Sequence, residues 1–306
     1  MLSDLGLRTR TAIVYGGIIL AFFAAGYYYT AAFSIFFALI VVLGLKELLQ
    51  QLYKAKYRPL KPFVYTLGLS FLALHLLFGL QAKAEAKVFP LNFQAKLNVL
   101  SALGMALIFW ALLALSLALL SFFTLLLRRG PKELPSALFG IFSGIYLTLP
   151  FVTALALLYL LPYGWQWLLL AFVTPWFTDT AAYLYGRRYG KQKIFPQISP
   201  GKTWQGFWAA QISTSLLYGI LALVILGGRF GRPFLLILLG LFAGFTVALA
   251  DQFGDLFASA LKRFFGIKDF GNLFPGHGGV LDRFDSTFFT IPVCFAWAVL
   301  LTNFIV

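Results

Sequence analysis

The sequence predicts an all-α, polytopic membrane helix bundle, and three observations carry that prediction. The chain has 306 residues, of which 61% are hydrophobic and only 11% charged, whereas a soluble domain carries about a quarter charged residues. Its apolar runs are about 20 residues long, the length that crosses a hydrocarbon core as helix. The sequence shows none of the short alternating segments that build a membrane barrel.

About nine transmembrane helices are expected, near 11–29, 31–50, 62–80, 98–127, 136–161, 165–186, 206–227, 233–251 and 284–305. Charged punctuation separates them. Arg8 and Arg10 precede the first, and Lys54, Lys56, Arg58 and Lys61 stand between the second and third. Lys83, Lys87 and Lys96 follow the third, while Arg128, Arg129 and Lys132 divide the fourth from the fifth. The sixth runs into Arg187, Arg188, Lys191 and Lys193, and Arg229 and Arg232 part the seventh from the eighth.

An N-terminus in the cytoplasm puts every Lys and Arg inside except Lys83, Lys87, Lys96, Arg229 and Arg232. Cytoplasmic loops are enriched in these residues, so the N-terminus is expected inside and the C-terminus outside. The formal net charge of +14 then reflects loop bias, with no nucleic-acid partner expected. The lone Cys294 excludes an internal disulfide and suits a small hydrophobe in the last span. The first apolar run lacks a small-residue cleavage site and is followed by further spans, so no cleavable signal peptide is expected.

The two halves differ in kind. Residues 1–160 read as transmembrane scaffold, with lipid or oligomer contacts, and their acids (Asp4, Glu47, Glu85, Glu133) read as scattered loop residues. Residues 161–306 read as the catalytic region with a cytoplasmic-side site. No internal repeat is visible, which argues against an inverted-repeat transporter.

Residues 251–285 hold half of the chain's ten acidic residues. On a helix, Asp251, Asp255 and Ser259 form one stripe at i, i+4, i+8, continued by Lys262 and Arg263. Asp282 and Asp285 share a face at i, i+3, and Arg283 lies between them. Lys268-Asp269 and the turn Pro275-Gly276-His277-Gly278-Gly279 fall between the stripe and this second pair. Carboxylates suit Mg²⁺, which completes its octahedron with waters and phosphates, and the neighbouring cations suit charge building on phosphate oxygens. Any one of these cations could be a snorkelling interfacial charge; their number and grouping point to a site.

A second patch follows the sixth span. Asp179 lies well inside an apolar run, where a charge costs about 2.5–3.5 kcal/mol on insertion scales, and Tyr183 follows one turn later. The basic, glycine-containing loop after it carries Ser199, Lys202 and Thr203, which could hold phosphates through hydroxyl, ammonium and backbone N–H groups. His75, in the third span, reads as a helix-packing residue.

These residues resemble the pattern of the phosphatidate cytidylyltransferases, also called CDP-diacylglycerol synthases. The resemblance runs without a gap from Ser259 through Lys262-Arg263, Lys268-Asp269, His277-Gly278-Gly279 and Asp282-Arg283-Phe284-Asp285. Gln252-x-Gly254-Asp255, Asp179-x-x-Ala182-Tyr183 and Ser199-Pro200-x-Lys202-Thr203 are similar to the family as well. Two positions depart from it: Gly201 stands where a second lysine is usual, and Gln205 where a glutamate is usual.

The resemblance implies transfer of the cytidylyl group of CTP to phosphatidate, giving CDP-diacylglycerol and pyrophosphate. It implies one or two divalent ions such as Mg²⁺, with a monovalent cation as a further possibility, and a homodimer; the compact multi-span chain with short loops suits an inner (plasma) membrane. Asp255 and Asp282 are the expected metal ligands, with Asp251, Asp285, Lys262 and Asp179 as further catalytic residues. Ser199, Lys202, Thr203, Ser259, Arg263, Lys268, His277 and Arg283 are the expected substrate contacts. Two rivals stay open on sequence: a CTP-dependent lipid kinase, which would release CDP instead of pyrophosphate, and a secondary transporter whose acids carry coupled ions.

Overall fold

The structure, a computed structural model, describes residues 2–79, 93–161, 163–226 and 232–305. Of the expected loop cations, Lys83, Lys87 and Arg229 lie outside the described residues. The protein is an all-α polytopic membrane protein. Six helical stretches among the described residues are long and apolar enough to span a membrane: Ala31–Lys54, Gly104–Arg129, Pro131–Tyr159, Trp204–Val224, Pro233–Phe264 and Leu281–Leu301. The apolar part of the first helix, Val14–Tyr28, is shorter.

The chain divides into two compact units: Met1–Pro162 with Phe264–Phe284, and Tyr163–Arg263 with Asp285–Val306. The first unit holds α1 (Leu2–Tyr28), α2 (Thr30–Lys54), α3 (Lys61–Gly68), α4 (Leu72–Gly79), α5 (Phe93–Arg129), α6 (Leu134–Leu160) and, after a long loop, α10 (Leu281–Phe284). The second holds α7 (Gly164–Tyr189), the strands β1 (Lys193–Phe195) and β2 (Ser199–Thr203), α8 (Trp204–Leu226), α9 (Pro233–Phe264, to Arg263) and α11 (Thr287–Ile305).

Aromatic stacking centres the first unit. The Phe37 and Phe151 rings stack at 4.6 Å, with Phe71 at 5.7 Å from Phe151, and all three are fully buried. The expected third span is broken in two. Leu69–Phe71 turns between α3 and α4, each only eight residues and so about 12 Å long. Contacts, not composition, set the break. Gly68 sits so close to α2 that a Cβ there would lie 2.6 Å from Leu45 Cδ1. Two residues beyond the helix end, Ser70 Oγ accepts from Trp110 Nε1 at 2.9 Å. His75 packs as expected, hydrogen-bonded through Nδ1 to Ser34 (2.9 Å) and Tyr159 (2.5 Å).

Side-chain hydrogen bonds tie the helices of the second unit across apolar interfaces, where small residues and polar side chains hold helices together. Pro175 lacks the N–H that would bond Ala171 O one turn back, and Thr290 of α11 donates to that carbonyl instead, at 2.8 Å. Thr174 bonds Tyr218 (2.8 Å), Tyr218 touches Cys294 (3.5 Å), and Trp297 donates to Thr246 (2.7 Å). Cys294 is fully buried, as a small hydrophobe would be. Gly240 and Gly244 let α9 meet the α8 backbone: a Cβ on Gly244 would lie 2.6 Å from Thr214 O.

Two further differences from the expected elements bear on the site. The eighth span continues without interruption to Phe264, so the acidic stripe and Lys262-Arg263 belong to one helix of 32 residues. The basic segment after α7 is an antiparallel hairpin, pairing Lys193 with Thr203 and Phe195 with Ser199.

Candidate functional site

The cavity at the hairpin of the second unit has a volume of about 560 Å³, within the range of small-molecule sites. One wall is the second half of α7, with Thr178, Asp179, Tyr183 and Arg187; the hairpin contributes Lys193 and Lys202. Phe207 of α8 and Asp251 and Gln252 of α9 complete it.

Local chemistry explains the shape. Thr203 is the last residue before α8, and its hydroxyl accepts from Gly206 N at 3.2 Å, the N-cap arrangement that satisfies an orphan donor. The same hydroxyl seats the end of α7: a Cβ on Gly186 would lie 2.9 Å from it. Gln205 Oε1 accepts from Lys191 N at 3.0 Å and Gln192 N at 3.5 Å, closing the α7-to-hairpin turn. Position 205 therefore needs an acceptor rather than a charge. At Gly201, a Cβ would meet nothing within 4 Å, so glycine there widens the cavity and is not forced by packing.

The cavity sets cations against carboxylates. Lys202 Nζ lies 2.6 Å from Asp255 Oδ2. Asp251 is 1% exposed, and its Oδ1 is buried without a hydrogen-bond partner; Asp179 repels the carboxylate. Ser286 Oγ donates to the Asp251 carbonyl at 3.0 Å. Asp285 is repelled by Asp255 and attracted by Lys262. Gly254 allows this crowding, since a Cβ there would lie 2.8 Å from Ser286 Cα. Among the described residues, no set of three or more His, Cys, Asp or Glu forms a ready-made metal cage. An orphaned carboxylate oxygen among neighbouring carboxylates still fits Mg²⁺, which is held by one or two carboxylates plus substrate phosphates.

The loop between α9 and α10 belongs to the first unit and is fastened from within. Glu47 of α2, first read as a scattered loop acid, lies inside the helix at 9% exposure. Its two carboxylate oxygens accept from Val280 N and Leu281 N, both at 2.9 Å. Gly279 abuts that carboxylate, where a Cβ would lie 2.3 Å from Oε1. Gln51 Nε2 donates to Phe270 O at 3.0 Å. Asp282 Oδ2 accepts from Phe270 N (2.8 Å) and Gly279 N (2.9 Å). Gly276 and Gly278 adopt φ of 76° and 84°, values that favour glycine.

Of the expected residues, Asp179, Lys202, Thr203 and Asp251 line the cavity; Asp255 joins them through Lys202, and Lys262 and Asp285 through charge. Arg263 Nε donates to Ile198 O at 3.3 Å, bracing the hairpin. Ser199 starts β2 and Ser259 lies on α9, both half-buried. Asp282, His277, Arg283 and Lys268 lie in the first unit. Lys268 is exposed there, while His277 Nδ1 and Arg283 Nε are buried without hydrogen-bond partners. Glu47 and Gln51 were missed because their partners lie more than 200 residues away. Only their position at a helix end, facing other polar residues, could have hinted at a role.

Fold and site together define a polytopic membrane protein with a cavity lined by both carboxylates and cations. A profile of the cytidylyltransferase family matches residues 6–301, and the chain belongs to that family. It is similar to the phosphatidate cytidylyltransferase of Staphylococcus saprophyticus, 42% identical over 130 residues, which is 42% of this chain and 48% of that protein. The phosphatidate cytidylyltransferases of Staphylococcus epidermidis and Staphylococcus aureus are 40% and 43% identical over the same extents. The chain spans about half the length of the curated relatives it matches.

Proposed function

We propose that this protein transfers the cytidylyl group of CTP to phosphatidate. The observation that carries the reading is the Lys202–Asp255 pair beside the orphaned Asp251 carboxylate, in a cavity of nucleotide size within a membrane protein of this family.

In the reaction, a phosphate oxygen of phosphatidate attacks the α-phosphorus of CTP. The new O–P bond forms as the bond to the β-phosphate oxygen breaks, and pyrophosphate leaves. A lipid phosphate is already anionic, so no strong general base is required. Lys202, Lys193 and Arg187 hold the triphosphate by charge, and the N-terminus of α8, capped by Thr203, favours anions. Asp179 keeps the cavity wall negative where a cation would sit, and Asp285 supports it beside Asp255, offset by Lys262. Asp255 and Asp251 are the carboxylates proposed to hold Mg²⁺ in this unit; Asp282 is proposed as a further metal-binding carboxylate on the sequence pattern alone. The metal, when bound, neutralises phosphate charge. Ser199, Ser259 and Arg263 are proposed to support the nucleotide side. Lys268, His277 and Arg283 are proposed for phosphate of the lipid, a reading supported by the buried, partnerless Nδ1 of His277 and Nε of Arg283.

The protein is further proposed to lie in the plasma membrane as a homodimer, N-terminus and site toward the cytoplasm, supported by the Lys and Arg distribution. The test is incubation of detergent-purified protein with radiolabelled CTP, phosphatidate and Mg²⁺. The reading expects cytidine label in the lipid phase. Label that never enters lipid under varied metal and pH rejects it, and CDP as the released product supports a lipid kinase instead.

A further inference from the structure

One wall of the cavity carries no charge, and its chemistry matches a base more closely than a phosphate. Phe207 and Gln211 stand one turn apart on α8 and share a face. Gln211 is 1% exposed. With its amide turned to satisfy both ends, it donates to Phe245 O at 3.0 Å and accepts from Leu249 N at 3.2 Å and from Gln252 Nε2 at 2.9 Å. Gln252 and Phe207 both line the cavity.

The buried amide therefore dictates the orientation of the half-exposed one. Gln252 Nε2 gives one of its two hydrogens to Gln211, which fixes the amide and leaves Oε1, an acceptor only, for a ligand. Cytosine presents an amino donor where uracil presents a carbonyl acceptor. A fixed acceptor bonds the first and opposes the second.

Resting on the proposed cytidylyl transfer, we infer that Gln252, held by Gln211, selects the cytosine base by accepting from its exocyclic amine while the ring lies against Phe207. Gln252 is the specificity residue; Gln211 is a positioning residue that acts through it. The triphosphate takes the cationic groups, Lys193 and Lys202.

The test uses the full-length protein in detergent and measures equilibrium binding of CTP and UTP by calorimetry, without lipid. Wild type should bind CTP at least about tenfold tighter than UTP, since a site built around a substrate N–H discriminates against the analogue lacking it. Gln252→Met should bring the two affinities together by weakening CTP. Gln211→Met should do so partly by strengthening UTP, because the released amide can turn its nitrogen toward a carbonyl; a merely structural role would weaken both nucleotides alike. Gln252→Glu keeps an acceptor and should keep the preference, which covers the case in which the methionine variant fails to fold. Equal wild-type affinities, no binding of either nucleotide, or a ratio unchanged in both methionine variants would overturn the inference. Lipid labelling measured in parallel separates the two ideas. Absent transfer with an intact CTP preference rejects only the reaction, and intact transfer with an unmoved ratio rejects only the base reader.

Discussion

Lys202 Nζ lies 2.6 Å from Asp255 Oδ2, tying the hairpin that leads into α8 to the acidic stripe of α9. Both side chains are about a quarter exposed, so the pair is open to a ligand, and a phosphate could draw the lysine from its carboxylate. Lys202→Met should lower kcat/KM for CTP about 10–100-fold, the loss expected for one hydrogen bond to a charged group. Lys202→Arg should recover part of it. Steady-state kinetics with varied CTP at saturating phosphatidate checks both.

Glu47 and the loop it fastens predict a stability defect. Glu47→Ala leaves two buried N–H groups unbonded, at about 1–3 kcal/mol each, and should lower the unfolding temperature of the detergent-solubilised protein. Glu47→Gln retains one acceptor oxygen and should fall between. Thermal unfolding followed by tryptophan fluorescence reads the order; equal temperatures for all three proteins would remove Glu47 from this role.

Asp282 separates holding the loop from handling charge. Asp282→Asn keeps an oxygen for Phe270 N and Gly279 N, so the protein should fold with near-normal stability. The proposed metal-binding role requires turnover to fall by orders of magnitude in the same variant. Stability and turnover both near wild type would leave Asp282 only its backbone bonds.

Gln205 replaces a glutamate of the family pattern, and its bonds to Lys191 N and Gln192 N need only an acceptor. Gln205→Glu should leave kcat/KM near the wild-type value, because a carboxylate oxygen can accept the same two N–H bonds. Gln205→Ala should raise KM for CTP by loosening the turn between α7 and the hairpin. Nucleotide titrations of the two variants decide it.

The close crossing of α8 and α9 predicts sensitivity at Gly244. A methyl there would lie 2.6 Å from Thr214 O and 2.7 Å from Ser215 Cα, so the backbone must yield, at about 1–3 kcal/mol for overpacking. Gly244→Ala should lower the unfolding temperature, whereas Gly104→Ala, with open space around it, should not.

What the sequence disclosed depended on how far each contact reaches. The long helices followed from apolar runs that need no partner to be recognised. The α9 stripe was legible because Asp251, Asp255 and Ser259 share a face by spacing alone. The break at Leu69–Phe71 was not, because leucine, serine and phenylalanine all suit a span and the turn is set by Leu45 and Trp110. The hairpin reads as a loop in the sequence because strands of three and five residues are too short to show a hydrophobic alternation. Glu47 stayed hidden because its partners lie far away in sequence, and the Gln211–Gln252 contact because two glutamines in apolar helices announce nothing until the helices meet.

The most direct test of the central claim compares wild type with Asp255→Asn in one reaction, counting pyrophosphate released and cytidine entering lipid. The account predicts equal molar yields of the two products in wild type, and loss of both by orders of magnitude in a folded Asp255→Asn protein that still partitions into detergent micelles. Near-normal yields in the variant, or wild-type pyrophosphate without lipid-bound cytidine, would contradict it.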